Sequence, residues 1–367
     1  MKRIILSHLS FLVMLQLGAQ IKTIKINGIV MDTSVKTIEI TYPADNQLSK
    51  WQYTKVNIEN GKFDTCIQIT FPADITISYG NRIFGNKYID SNAEIFIDSA
   101  GVPHVNGSPT QDEYENKFLP FFQSNNQIYD SLRNLYGSIY QKYGENIPKK
   151  VKDSAILLQD KYYYGRATLL SEYIKLHPNS YVALWDIYFF VSRSPTHRYF
   201  DFEKLFSSFS TQMQQQSFIS VLKEKIKASD YMVVGQIFPN DFFKGYEQMQ
   251  NEIKENNQYY LIDFWYSHCA PCIEGFPKLK NIYNQFHSKG FEIVSISVDK
   301  LKYKEDYHAA IKKNKLSWKH IWDKDGLTAE KYNIYSFPTY ILLDKDWRII
   351  NSNIRNTELE AFLKEKL

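Results

Sequence analysis

The sequence predicts a multidomain protein with an N-terminal antiparallel β sandwich, a helical middle region and a C-terminal α/β domain with a mixed sheet. Its 367 residues exceed one ordinary domain. Apolar and polar residues alternate in the first third, helical spacing dominates the middle, and short apolar runs alternate with helical segments towards the end. The predicted boundaries are 1–19 for a signal peptide, 20–107 for the sandwich, 108–229 for the helices and 230–367 for the α/β domain.

The N-terminus has the pattern of a secretory signal. Lys2 and Arg3 precede an apolar stretch at 4–17, and small residues end at Ala19. The apolar stretch is shorter than the roughly 20 residues that a membrane-spanning helix needs. We therefore predict export to the periplasm or cell envelope and a soluble mature protein.

The composition indicates a folded protein without a nucleic-acid or membrane-surface partner. Hydrophobic residues make up 44% and charged residues 23%, which argues against disorder. The net charge of +4 is spread along the chain without a basic block, so it is interpreted as ordinary surface charge.

The patterns within each region predict particular elements. In the sandwich, Asn60-Gly61 predicts a hairpin turn between its flanking strands, and Cys66 shares the polar side of its strand and is predicted to be a bystander. In the C-terminal domain, "YYLIDFW" and "FEIVSISV" are typical of buried parallel strands, with a helix between them. "TYILLD" and "WRIIN" predict a hairpin.

Two of the three cysteines form a close pair, Cys269 and Cys272, directly after the first of these strands. A helix that begins near Cys269 would stabilise its thiolate, which is the attacking form of sulfur. Cys272 would be near enough to close a disulfide. We predict Cys269 as the nucleophile and Cys272 as the resolving cysteine.

Asp263 and Pro338 make the pair more specific. Asp263 lies inside the apolar run, where burial would keep its proton near neutral pH, so that it could take a proton from Cys272 and return it. The alternative is an aspartate on a solvent-facing side. Pro338 precedes an apolar strand, where a cis Phe337–Pro338 bond would let an extended substrate pair there as an added strand. The alternative is an ordinary loop proline.

These residues resemble the thioredoxin superfamily. The features are Asp-Phe-Trp, then Cys-x-x-Cys, a proline five residues after the second cysteine, and a distant x-Pro-Thr before a strand. "FEIVSISVD" and the long segment 299–338 resemble the exported TlpA/ResA-like branch, which carries an extra helix and strand. The layout of the first two-thirds resembles Bacteroidetes envelope proteins. The motif resemblance covers the last third.

The resemblance implies roles for individual residues. Cys269 and Cys272 would form the redox-active disulfide, Pro277 would kink the helix that follows, and Trp265 would pack beside the cysteines. The substrate-binding residues implied in this way are Trp265, Phe337 and Pro338.

Two positions depart from the family. His268 stands where a tryptophan is usual, and it would either lower the pKa of the Cys269 thiol or face solvent. Gly275 stands where TlpA/ResA-like proteins often have glutamate, and Glu274 is one residue early. Asp263 could replace that acid.

The predicted function is that of an envelope thiol-disulfide oxidoreductase, favoured as a reductase, without cofactor. Its predicted partners are client proteins with disulfides and an electron donor in the membrane or envelope, and neither nucleic acid nor metal is predicted. A zinc site would need two further ligands. The open alternatives are a DsbA-like oxidase, a thioredoxin-like peroxidase, for which Tyr266 would be the hydroxyl residue three positions before Cys269, or a binding protein with an idle disulfide.

Overall fold

The computed structural model describes residues 21–43, 51–144, 147–193, 199–254 and 257–367, and the predicted signal peptide lies outside them. The chain divides into two compact units, Met1–Glu115 and Asn116–Leu367. Within the described ranges, no helix is both long and apolar enough to cross a membrane.

The first unit is a sandwich of two four-stranded sheets, with strand orders β4-β1-β7-β8 and β3-β2-β5-β6. The strands are β1 (Lys22–Val30), β2 (Thr37–Pro43), β3 (Trp51–Asn57), β4 (Lys62–Ile69), β5 (Ala73–Tyr79), β6 (Arg82–Ile89), β7 (Ala93–Ile97) and β8 (Pro103–Asn106), followed by helix α1 (Pro109–Glu113). Inward-facing residues of both sheets form one core. The predicted sandwich is confirmed, and its pairs are antiparallel except β1 with β7, which are parallel.

The turn at Asn60-Gly61 is present, but the hairpin predicted around it is wrong. Asn60 and Gly61 both have positive φ, 52° and 72°, as a tight turn requires. Glu59 and Lys62 exchange two backbone hydrogen bonds of 2.9 Å across it. Beyond that bridge β3 pairs with β2 and β4 pairs with β1. The turn therefore carries the chain from one sheet to the other.

The second unit begins with the predicted helical region, which is confirmed. Its helices are α2 (Leu119–Phe121), α3 (Gln123–Tyr143), α4 (Lys149–Leu176), α5 (Tyr181–Arg193), α6 (Phe202–Ser207), α7 (Thr211–Gln214) and α8 (Ser217–Ser229). The buried Arg166 on α4 donates two hydrogen bonds to Asp186 on α5, and its guanidinium lies 4.1 Å from the ring centre of Phe122. Because this charge is paired and stacked, it ties α4 to α5 without remaining unsatisfied.

The rest of this unit is an α/β layer structure around the mixed sheet β11-β10-β9-β12-β13. Its elements are α9 (Glu247–Lys254), β9 (Tyr259–Trp265), α10 (Ala270–Phe286), β10 (Phe291–Ser297), α11 (Lys304–Asn314), β11 (Lys319–Trp322), α12 (Leu327–Lys331), β12 (Thr339–Asp344), β13 (Ile349–Asn351) and α13 (Asn356–Lys366). Strands β9, β10 and β11 are parallel, while β12 and β13 form the predicted hairpin and β12 runs antiparallel to β9. The predicted mixed sheet is confirmed.

Strand β9 lies at the centre of this sheet and is covered on both faces. Leu261 and Trp265 belong to the core on the side of α10, whereas Ile262 and Phe264 belong to the core on the opposite side. Since successive side chains of a strand alternate, Asp263 points to the side of α10. The strand therefore places a carboxyl group under the helix that carries the cysteines.

We predict that Gly28→Ala destabilises the first unit. Gly28 lies opposite Phe63 in the sheet, and a Cβ on it would meet the Phe63 ring at 2.1 Å and the Ile95 carbonyl oxygen at 2.8 Å. We expect a loss of about 1–3 kcal/mol in the free energy of unfolding, measured by urea titration of the full chain. Gly85→Ala on β6 is the control, because the nearest atom there is 3.9 Å away. Equal losses in both variants would contradict the close approach at Gly28.

Candidate functional site

The cysteine pair lies at the start of α10, as predicted. Cys269 is the N-cap residue, and its Sγ accepts a hydrogen bond of 3.2 Å from the backbone N–H of Cys272. Pro271 occupies the first turn, where its missing N–H leaves no bond unmade. Cys269 and Cys272 are joined by a disulfide, with their Cα atoms 5.2 Å apart. Both residues are buried, with 2% of the surface of Cys269 and 0% of that of Cys272 exposed.

Trp265 lies beneath the pair. It is fully buried in the same apolar cluster as both cysteines, and its ring meets the edge of Phe276 at a centroid distance of 5.2 Å. Trp265 therefore supports the site from within and does not reach the surface in this arrangement.

Phe337 comes to the same cluster from another part of the chain, and Pro338 follows it directly. The bond between them is cis, as predicted. Phe337 packs against the cysteine-containing cluster, and so does Tyr266; their rings meet edge to face at 5.6 Å. Both side chains are partly exposed, so they form a small aromatic surface next to the site.

Asp263 is fully buried, which confirms the predicted burial. Its Oδ2 accepts a hydrogen bond of 2.6 Å from Ser295 Oγ, and its Oδ1 has no hydrogen-bond partner among the described residues. Burial raises the pKa of Asp263 to about 7, against the opposing effect of the Ser295 hydroxyl. The carboxyl group can therefore gain or lose a proton near neutral pH.

A buried carboxylate fixes the loop that precedes Cys269. The Ser267 backbone N–H donates to both oxygens of Asp299 at 2.9 and 3.1 Å, and Ser267 Oγ donates to the same carboxylate at 2.6 Å. Ser297 Oγ adds a further bond of 2.7 Å. Because Asp299 lies two residues after the end of β10, the sheet holds the loop in place two residues before the cysteine.

His268 faces solvent, with 54% of its side chain exposed. Its Nδ1 lies 3.0 Å from Ser267 Oγ, and its Nε2 lies 3.4 Å from an oxygen of Asp306 on α11. The helix predicted from the family resemblance thus places a carboxylate beside this histidine. At such exposure this contact contributes little to stability.

The space expected for a glutamate at position 275 is taken by another polar group. A Cβ on Gly275 would lie 2.9 Å from the hydroxyl oxygen of Tyr340, which comes from β12. Pro277 lies inside α10, as the resemblance implied, and Glu274 is exposed. The glycine is therefore explained by close approach of Tyr340.

Ser295, Asp299 and Tyr340 were not predicted from the sequence. A signal was present for two of them. Ser295 interrupts an otherwise apolar run, and Asp299 follows that run at the end of a buried parallel strand, where ligand-binding residues often gather. Tyr340 gives no such signal, because tyrosine is common in ordinary strands.

Cys66 on β4 is an exposed free thiol. In the part of the chain that the structure describes, no three histidine, cysteine, aspartate or glutamate side chains are grouped so that they could hold a metal ion.

Comparison with known proteins assigns this domain. The Thioredoxin-like family model matches residues 256–349. The thiol-disulfide oxidoreductase ResA of Bacillus thuringiensis subsp. konkukian is 26% identical over 138 residues, which cover 36% of this chain and 79% of ResA. Among solved structures, a thiol-disulfide oxidoreductase from Bacteroides fragilis is 36% identical, with 31% of this chain and 85% of that chain covered and a TM-score of 0.28.

A second solved structure, the thioredoxin domain of a thiol-disulfide oxidoreductase from Bacteroides vulgatus, is 33% identical. The match covers 32% of this chain and 82% of the Bacteroides vulgatus chain, with a TM-score of 0.29. The fold and the site define a thioredoxin-like protein with a Cys-x-x-Cys pair. The family model identifies residues 256–349 as thioredoxin-like, and this part of the chain is similar to the ResA-type thiol-disulfide oxidoreductases.

We predict that Asp263→Asn changes how stability depends on pH. The pKa of Asp263 is raised from 3.8 to about 7 by folding, so the native state binds more protons than the unfolded state between those values. The wild type should therefore lose stability relative to Asp263→Asn as the pH rises from about 4 to about 7, by roughly 2–4 kcal/mol in total.

The measurement is urea unfolding of the oxidised protein at a series of pH values. Asp346→Asn, at an exposed position in the β12–β13 turn, is the matched control and should follow the wild type. Parallel curves for the wild type and Asp263→Asn would show that this carboxyl group does not titrate in the native protein over that range.

Proposed function

We propose that the chain is an exported thiol-disulfide reductase that acts on disulfides of client proteins. The observation that carries the proposal is the Cys269–Cys272 disulfide at the N-terminus of α10, on the face of the sheet to which the buried Asp263 points. A disulfide that closes so short a loop contributes little chain-entropy stabilisation. A reactive role therefore explains the pair better than a structural one.

The proposed reaction starts from the reduced pair. The Cys269 thiolate, stabilised by the first turn of α10, attacks one sulfur of the client disulfide, and the other client sulfur leaves as a thiolate. Cys272 then gives its proton to Asp263, and its sulfur attacks Cys269 Sγ. The bond between Cys269 and the client breaks, and the Cys269–Cys272 disulfide closes. The client disulfide gains two electrons and the cysteine pair loses two.

The proposed client contact is the surface at Tyr266, Phe337 and Pro338. Aromatic rings at this surface can bury apolar side chains of the client. An extended client segment would lie against Phe337 and Pro338 as an added strand, and the buried Trp265 would keep the cysteines in place beneath it.

The proposed setting is the periplasm or cell envelope, after removal of the segment 1–19. A membrane or envelope dithiol would return two electrons to Cys269–Cys272 after each turnover. Reduction is preferred to oxidation because the resemblance to the TlpA/ResA-like branch favours it.

We predict that the two cysteines are not equivalent. With a dithiol donor, the mature protein should reduce insulin disulfides, and Cys269→Ser should abolish this activity. Cys272→Ser should instead accumulate mixed disulfides through Cys269, because the resolving thiol is missing. Cys66→Ser is the matched control and should retain the wild-type rate. Clients trapped by Cys272→Ser should be found in the envelope fraction of the cells. If Cys269→Ser behaves like the wild type, the proposed reductase is contradicted and the binding-protein alternative is favoured.

We predict that the reduction potential of the pair separates reductase from oxidase. Equilibration with glutathione or dithiothreitol buffers should give a value nearer to the about −270 mV of thioredoxin than to the about −120 mV of DsbA. A potential close to that of DsbA would support the oxidase alternative and contradict the proposed direction.

A further inference from the structure

Three side chains form a hydrogen-bonded line across the sheet beneath α10. Trp318 Nε1 donates to Ser295 Oγ at 2.7 Å, and Ser295 Oγ donates to Asp263 Oδ2 at 2.6 Å. Ser295 lies directly opposite Asp263 in the pairing of β10 with β9. All three residues are buried, with exposed fractions of 4%, 0% and 0%. The line is therefore shielded from water.

The direction of each hydrogen bond follows from the groups involved. An indole N–H can only donate, so Ser295 Oγ is the acceptor in its bond with Trp318. The single hydroxyl proton of Ser295 is then free to point to Asp263 Oδ2. For Ser295 to keep donating, Oδ2 must stay unprotonated. The other carboxyl oxygen, Oδ1, is buried and has no partner among the described residues.

We infer that Ser295, oriented by Trp318, is a positioning residue that directs the proton of Asp263 to Oδ1 and lowers the proton affinity of that carboxyl group. Within the proposed function, on which this step rests, Oδ1 is then the atom that receives the proton of Cys272. Neither Ser295 nor Trp318 touches the reacting sulfurs in this scheme, because both act through Asp263.

The other groups on this side of the sheet do not replace the serine. Cys269 and Cys272 come from α10, and Tyr340 lies opposite Asp263 on β12 with its hydroxyl next to Gly275. Burial raises the pKa of Asp263, and the Ser295 hydrogen bond is the one interaction that lowers it. Without that hydroxyl, neither oxygen of the buried carboxylate would have a hydrogen-bond partner among the described residues.

The test follows the titration of Asp263 directly in the oxidised full-length chain, by the ¹³C signal of its carboxyl carbon. Asp263→Asn identifies the signal by removing it. We expect Ser295→Ala to move the midpoint upward by about 1–2 pH units, since a hydrogen bond to the charged form is lost. Ser295→Thr keeps the hydroxyl and should titrate close to the wild type. Trp318→Phe removes the orienting donor and should give a smaller upward shift.

Ser295→Ala leaves the Trp318 N–H buried without its acceptor and could lower stability. The double variant Ser295→Ala/Trp318→Phe removes both groups. The Asp263 titration is measured in it if the single variant fails to fold. A structural role alone would change the unfolding midpoint and leave the Asp263 titration unchanged.

An unchanged Asp263 midpoint in Ser295→Ala or in the double variant would overturn the inference, whatever the enzyme activity. A shifted midpoint in a protein whose wild type reduces no disulfide would keep the inference and reject the proposed function. If the inference and the proposed function both hold, the rate at which Cys272 resolves a Cys269 mixed disulfide should rise with pH. In Ser295→Ala the midpoint of that rise should be shifted upward by the same amount as the Asp263 titration.

Discussion

The site depends on one sulfur atom at the beginning of α10. Cys269 Sγ already accepts the backbone N–H of Cys272, so the first turn of the helix offers a thiolate both a hydrogen bond and the positive end of the helix dipole. The surroundings fix that turn from two sides. Asp299 holds the loop at Ser267, and the buried Trp265 packs beneath. The chemistry of the sulfur is therefore set by backbone geometry, which a side-chain change at the surface does not easily alter.

The fold was predictable where local sequence patterns determine it. It was less predictable where it depends on the pairing of strands that are far apart in the sequence. Apolar runs identified β9 and β10 as buried parallel strands, and their flanking residues located α10. At Asn60-Gly61 the turn chemistry was equally clear, yet it fixes only the four residues of the turn. Which strand pairs with β4 is decided by the shared core of the two sheets, and nothing near the turn records that choice.

The residues of the site divide in the same way, into those that a local motif reveals and those that only strand pairing brings to the site. Cys269, Cys272 and Asp263 follow from a ten-residue stretch, and Pro338 from a second short motif. Ser295, Trp318 and Asp299 belong to the site through strand register: Ser295 is opposite Asp263 because β10 pairs with β9 in parallel, and Trp318 reaches it from the residue before β11. Register is set by the whole sheet, so the sequence shows a serine in an apolar run without showing what it faces.

The helical region also bears on the site. Lys225 on α8 donates to the Tyr335 hydroxyl at 2.6 Å, while Asn333 donates to the Val191 carbonyl at 2.5 Å and to Ser229 Oγ at 2.6 Å. Asn333 and Tyr335 belong to the segment that leads into Phe337 and Pro338. Hydrogen bonds from α5 and α8 reduce the conformations open to this segment. The middle helices are therefore part of the framework that holds one side of the cysteine site, since they stabilise the loop against which a client would bind.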